Sequence, residues 1–359
     1  MAFDTNERSR WLFRIKDADG NLVANLTKAT NKRVKLGLNK PGEATFTYSL
    51  KDFSELATSI NSTVTALLGI GRFTLECLRD GSVFFAGQIL FFKREVNSIS
   101  AEISVKALGF FWLLSTRFAG LTSDRVFTAT DAGAIAWTLI DETQDLTNGD
   151  FGFTQGTIQT SLNRTLTYTR KNIKEAIEDL AFADGGFDFE VDENKILNIF
   201  YPFKGSDKTD TVIFRYPGPQ IQSISEEQDG TKLANHALII GKGWGTDELN
   251  VERDNTDSQS ALKRRDKIVT VKDIDNATVL GDIADEVINV FGSVNPVLKI
   301  NYNDNSRGPD LSTFVVGDFI NLKIEEDFWS SEQTFRIFEI HVNVDNRDKE
   351  KITLVVGLI

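Results

Sequence analysis

The alternation of apolar and polar residues is strongest at the two ends of the chain and gives way to helical spacing between them. From Arg72 to Leu90, RFTLECLRDGSVFFAGQIL reads as two strands joined at Asp80-Gly81, a dipeptide that tolerates the positive φ angles of a tight hairpin. From Val316 to Val344, VGDFINLKIEEDFWSSEQTFRIFEIHVNV repeats the plan with a longer tip, and KITLVVGLI adds one more strand. Upstream, WLFRIKD and NLVANL form a hairpin about Asp19-Gly20, and RVKLGL and ATFTYSL are divided by a turn at Pro41-Gly42. Ala44, Phe46, Tyr48 and Leu50 share one face by their period of two. SISAEISVKALG gives a last strand before Gly109, so six or more short strands build a small barrel or sandwich.

In the middle the period lengthens. ATDAGAIAWTLIDETQ, from Ala129 to Gln144, spaces Ile135, Leu139 and either Trp137 or Ile140 for a helix, with Thr130 or Asp131 as cap. A second helix begins at an Asn172 cap with Glu175 three residues on, carries Ile173, Ile177, Leu180 and Ala181 as its stripe, and ends at Gly185-Gly186. FDFEVDENKILNIFYP then reads as a hairpin turning at Asp192 to Asn194. Further on, HALIIGKG is the strongest strand and Thr246 to Leu262 is polar, so it is expected to be a loop. Asn276 to Phe291 is a third helix with Leu280, Ala284, Val287, Ile288 and Phe291 on one face.

The fold class expected is mainly β with an α+β insertion: two small β-barrel modules, residues 1–117 and 219–359, flanking a helix-containing middle domain, 118–218, with a helical insertion around 276–291 in the last module. A length of 359 residues suits several compact units. Phenylalanine dominates the aromatics, 27 against 5 Tyr and 5 Trp, which suits dry packing between sheets. A net charge of −12 argues against a static grip on nucleic acid, which needs clustered Lys and Arg, but is compatible with a conduit that repels a passing polyanion.

The residues offer little chemistry. Cys77 is the only cysteine and lies in the apolar run of a strand, so no intrachain disulfide forms. GKGWGT, Gly241 to Thr246, lacks the Lys and Ser or Thr of a phosphate loop and reads as a strand-end turn. DNTDSQ from Asp254 lacks the sixth-position glycine of a calcium loop and has Arg265 at the twelfth position; NYNDNSRG from Asn301 fails in the same way at Ser306. His236 and His341 have no second metal ligand close in sequence. No nucleophile turn is visible, and with 52 acidic residues any chosen carboxylate pair is meaningless. KRRDK, Lys263 to Lys267, reads as a solvated or ion-paired edge. No catalytic, cofactor or metal residue is assigned. The N-terminus has charges where a secretion signal needs an apolar core, and no stretch is long enough for a membrane span. Phe328 and Trp329 sit in a hairpin tip, where they either fold back on their own barrel or anchor a neighbouring subunit; with Trp244 they are the candidate interface residues.

The order of these elements resembles the tail hub proteins of long-tailed phages, relatives of the baseplate hubs of contractile tails and of the hub region of type VI secretion spikes. The likeness rests on LNKPGEATFTYSL, FFAGQI and KALGFFWLLSTR; on ATDAGAIAWTLI and NIKEAIEDLAFADGGFDFEVD; on ALIIGKG, the polar loop and KRRDKIVTVKDIDNATVLGDIADEVINVFGSVNP; and on VGDFINLKI with TFRIFEIHVNV. It spans nearly the whole chain and contains no catalytic residue. The resemblance implies a homotrimer whose two tube-like barrels per chain build a pseudo-hexameric ring. Such a ring joins a six-fold tail tube to a three-fold tip and gives DNA a channel. The implied partners are the distal tail protein, the tape-measure protein and downstream tip or fibre proteins, in a virion tail tip made and assembled in the host cytoplasm. Nothing follows the last strand, so no lysozyme, peptidase or fibre extension is expected. Two other readings compete: a receptor- or carbohydrate-binding tip protein with Trp244, Trp329 and Tyr302 as sugar platforms, and a cell-wall hydrolase.

Overall fold

The structure, a computed structural model, describes residues 11–358 except 184–185, 220, 273 and 304–308. Thirteen strands, β1 to β13 in chain order, form one sheet. The first seven are β1 (Trp11–Lys16), β2 (Leu22–Asn25), β3 (Thr30–Gly37), β4 (Glu43–Ser49), β5 (Thr74–Arg79), β6 (Ser82–Val96) and β7 (Ala101–Gly109). The last six are β8 (Ile213–Tyr216), β9 (Ile221–Glu227), β10 (Val297–Tyr302), β11 (Phe319–Glu326), β12 (Trp329–Val344) and β13 (Glu350–Gly357). Their order is β9-β10-β13-β12-β3-β4-β7-β6-β5-β1-β2, with β11 beside β12 and β8 beside β11. The chain is therefore mainly β with helix-containing insertions, as its pattern predicts. The two β modules are hydrogen-bonded together along β12 and β3, and their apolar faces enclose one shared core.

The alternating residues behave as their period requires. Ala44, Phe46 and Tyr48 are buried while their neighbours are half exposed. Asp80 and Gly81 both have positive φ, 51° and 82°, and join β5 to β6 directly, as a two-residue hairpin loop needs.

Beneath the repeated hairpins lies a deeper repeat. Strands β3-β4-β7-β6-β5 and β9-β10-β13-β12-β11 occur in the same spatial order and the same chain order, with every neighbouring pair antiparallel. Each long strand carries a bulge at the same place. Ile89 faces Ala107 and Phe91 faces Lys106, with Leu90 extra; Ile337 faces Val356 and Glu339 faces Val355, with Phe338 extra. Counting from the bulges brings Tyr48 onto Tyr302 and the buried Leu75 and Cys77 onto Ile320 and Leu322. Even the backbone bonds before the bulge recur: Gly71 donates to Ile89 O at 2.9 Å, and Gly317 to Ile337 O at 2.8 Å.

The modules differ in what their connections carry. Between β4 and β5 are two short helices, α1 (Leu50–Ser59) and α2 (Val64–Leu67). Between β7 and β8 lies a long insertion with α3 (Ala132–Gln144) and α4 (Ile173–Phe182). The helices start where their caps direct: Asp131 accepts from Gly133 and Ala134 N–H, and Asn172 accepts from Glu175 N–H. The expected end of α4 at Gly185 lies outside the described residues; the last helical residue is Phe182.

The second long insertion, between β9 and β10, holds α5 (Thr256–Leu262) and α6 (Ala277–Phe291) with a three-stranded sheet, 250–254, 236–240 and 266–270. Part of the polar stretch expected to be a loop is thus strand and helix. Only Val251 of the strand Asn250–Asp254 is even half-buried, so a surface edge strand shows no period. Asn276 caps α6. Leu280, Ile283, Ala284 and Val287 of this helix enter a second core with Ile135, Leu139, Ile177 and Phe189 of the first insertion, separate from the β core. Arg164 and Asp282, at 3.2 Å, also link the two insertions.

Candidate functional site

Three places combine chemistry-bearing side chains with a defined geometry. The first is the junction where the first insertion meets both modules. Asp188, buried at the start of the hairpin strand Asp188–Val191, accepts Asn39 Nδ2 at 2.8 Å, Lys204 N–H at 2.7 Å and Arg336 Nη2. Asn39 returns the contact by accepting Phe189 N–H at 2.8 Å, and Arg336 also donates to Lys204 O at 2.8 Å and Gly317 O at 3.1 Å. Nearby, the buried Asp318 of the VGD turn accepts Ser206 and Val315 N–H at 2.7 and 2.9 Å. A β-carbon on Gly205, at φ 106°, would lie 2.2 Å from Gly317 O, so the crossing requires glycine.

Beside this junction is a cleft of about 610 Å³, lined among others by Lys40, Phe84, Arg79, Glu190, Lys204 and Asp310. Its basic groups are held by carboxylates. Lys204 pairs with Glu190, and Arg79 donates from Nε and Nη2 to Glu350 at 2.8 and 3.1 Å. Glu350 opens β13 and also accepts the indole N–H of Trp11, so the first and last strands are tied by a buried, charge-assisted contact. The arrangement positions chain segments.

The second place comprises the exposed aromatics. Phe328 is fully exposed at the β11–β12 tip, while Trp329 is half-buried and packs against the β core. The tip therefore divides the pair: one ring folds back and the other stands in water. Trp244 is 82% exposed, with Lys272 Nζ 4.8 Å from its ring centre. It lies in the connection between strands 236–240 and 250–254, where Gly243 and Gly245 have positive φ. GKGWGT is thus a strand-end turn. Tyr302, expected as a sugar platform, is buried in the β core against Phe214, because it occupies the inward position that Tyr48 holds in the first module.

The third place is His236, which sequence spacing left without partners. Strand pairing places Asp254 and Asp266 on either side, at 2.9 Å from Nδ1 and 3.9 Å from Nε2. The Asp254 carboxyl is held below its ordinary value by hydrogen bonds from Gln259 and then from His236. His341 contacts Glu339 at 2.9 Å. Among the described residues, no group of three or more His, Cys, Asp or Glu could hold a metal ion. Cys77 is buried, and burial pushes its thiol well above its ordinary value. Among the described residues, no helix is long and apolar enough to cross a membrane.

No protein-family model matches the sequence, and no curated protein does. Solved structures do. The chain is similar to a tail protein from Neisseria meningitidis MC58, with a TM-score of 0.65 and 12% identity over 97% of this chain and 96% of that one. A 43 kDa tail protein of prophage MuSo2 from Shewanella oneidensis gives 0.63 at 13% identity, covering 96% and 97%. A prophage tail protein from Listeria monocytogenes EGD-e gives 0.55 at 12% identity, covering 96% and 94%. The chain has the fold of phage tail proteins, and the resemblance read in its sequence holds at that level.

Proposed function

We propose that this chain is a non-enzymatic structural component of a phage tail, a hub in which three copies form a pseudo-hexameric ring. The observation that carries the reading is the internal repeat of five strands with matched bulges, fused side by side in one sheet. A chain holding two copies of one ring-forming unit supplies six units from three chains, which is what a joint between six-fold and three-fold structures needs. The full-length likeness to three tail proteins supports the same reading. The basic residues of the cleft, each held by a carboxylate, favour a structural role for it.

In this reading the three units are the two β modules and the helix-containing insertions. The ring stands at the tail tip of the virion after assembly in the host cytoplasm. The distal tail protein, the tape-measure protein and tip or fibre proteins are its neighbours, and DNA passes through its centre. Phe328 and Trp244 are presented outward for such contacts, with Trp329 fixing the base of the tip. Sedimentation of the purified chain tests the ring: a mass of three chains is expected, and single chains at every concentration would reject it.

A second reading, recognition of a saccharide, keeps one supporting observation, the exposed indole of Trp244. It requires a Trp fluorescence change on adding host cell-wall saccharide that disappears in Trp244→Ala.

A further inference from the structure

The repeat makes it possible to ask which strand contact inside the chain lacks its counterpart. Beyond its bulge, β12 leaves β11 and pairs with β3: His341 faces Lys35, Val342 faces Val34 and Asn343 faces Arg33. Beyond its own bulge, β6 leaves β5 after Gln88 and runs on from Phe91 to Val96. On one side that segment pairs with β7; on the other, among the described residues, no strand lies against it. The counterpart of β3 is β9, which pairs with β10 and ends the sheet. The chain thus carries one seam of this kind made and one divided into two open halves. Those halves are the segment 91–96 and the strand 221–227.

Register can be carried across the repeat. Equivalence at the bulges puts Lys93, Arg94 and Glu95 where the second module has His341, Val342 and Asn343. Ala44 corresponds to Leu298, so Val34 corresponds to Glu226, Lys35 to Glu227 and Arg33 to Ser225. The existing seam then translates into Lys93 opposite Glu227, Arg94 opposite Glu226, and Glu95 opposite Ser225. Opposite charges meet at two successive positions, an arrangement that stabilises cross-strand neighbours. In the single chain these groups make local contacts at the surface: Lys93 with Glu95, Arg94 with Thr65, and Glu227 with Lys299.

We infer that β6, from Lys93 to Val96, pairs antiparallel with β9, from Ile224 to Glu227, of a second copy of this chain, in the register that sets Lys93 against Glu227 and Arg94 against Glu226. The contact is head to tail, since the two edges differ, so it propagates from copy to copy and closes when the rotation allows. It rests on the ring reading above and adds to it the strands, the register and the charge pairs. Backbone hydrogen bonds supply the adhesion and the charges supply the register.

Cysteine pairs test the register in the full chain. Lys93→Cys with Glu227→Cys, and separately Arg94→Cys with Glu226→Cys, place thiols at directly opposed positions, within the span a disulfide bridges. Cys77 stays out of the reaction because it is buried. Mild oxidation is expected to link chains up to a trimer, whereas Lys93→Cys with Ser223→Cys, four positions out of register, stays unlinked. In parallel, reversing Lys93 and Arg94 to Glu is expected to weaken association about tenfold. Further reversing Glu226 and Glu227 to Lys is expected to restore it. A three-chain assembly by sedimentation with no in-register linkage, or no restoration by the double reversal, would overturn this strand pairing and leave the ring reading intact. Single chains at every concentration with no linkage would overturn both.

Discussion

The two β modules share a five-strand plan, yet they treat the far half of their long strand in opposite ways. In the second module that half is covered: Val342 meets Val34 across the seam, and both are buried. In the first, the place of Val342 is held by Arg94, next to Lys93, and among the described residues no strand covers them. The counterpart edge, β9, carries Glu226 and Glu227. A seam made while the chain folds can be apolar, because it is never shown to water. Edges that must survive exposed until a partner arrives have to carry charge, or they pair indiscriminately. On the proposed pairing, one topology serves as a core contact or as an assembly contact according to the residues at two opposed positions.

The largest effect is expected at the covered seam. Val342→Asp puts a charge into the shared core and is expected to cost at least about 4 kcal/mol, abolishing a cooperative melt. At the equivalent exposed position, Arg94→Asp is expected to change the unfolding free energy of the single chain by less than about 0.5 kcal/mol. Equal losses at the two sites, read by urea denaturation, would show that the edges are not distinguished in the way described.

Next comes the junction that holds the insertion against both modules. Asp188→Ala leaves Arg336 with its carbonyl contacts but no counter-charge, and is expected to cost about 3–5 kcal/mol. The β core does not contain Asp188, so the loss falls first on the insertion, as accelerated hydrogen exchange in α3 and α4.

A smaller effect separates the modules by pH. Glu76 of β5 lies where the second module has the neutral Asn321. Burial pushes the Glu76 carboxyl up, but hydrogen bonds from Arg14 and Lys16 outweigh it and hold the group below its ordinary value. A carboxylate depressed on folding contributes stability above its unfolded value, about 4.3, and loses it as pH falls through its folded value. Glu76→Gln should therefore cost about 1 kcal/mol at pH 7, and the gap to the parent should shrink as the pH falls below that unfolded value. A gap of constant size would contradict the assignment. The smallest effect concerns Phe328, which touches nothing in the single chain. Phe328→Ser should leave the melt unchanged, and any loss should appear only when tail partners are added.

Much of this architecture was legible in the sequence because the responsible residues act locally. Period two exposed β4 and the β5–β6 hairpin, the Asn172 cap gave α4, and the apolar stripe from Leu280 to Phe291 gave α6. Other features depend on residues far apart. Asp188 and Arg336 are 148 positions apart. The seam between β3 and β12 has no local signal, since either strand would alternate with any neighbour. The strand Asn250–Asp254 escaped notice because an exposed edge needs no apolar face. Likewise α6, whose stripe is clear, gave no hint that it packs on the strands 236–240 and 250–254 of its own insertion, or that its apolar residues join a core shared with the first insertion. The aromatics were found by type and, for Phe328 and Trp329, by their place in a hairpin tip, and only burial distinguishes Phe328 and Trp244 from Trp329 and the enclosed Tyr302.

The most direct test of the central claim is electron cryomicroscopy of the purified full chain, with class averages resolved well enough to tell the two modules apart. A three-fold ring is expected, in which first and second modules alternate, six in all, around an open centre. A ring in which like modules sit side by side, or a field of single chains at every concentration, would contradict it.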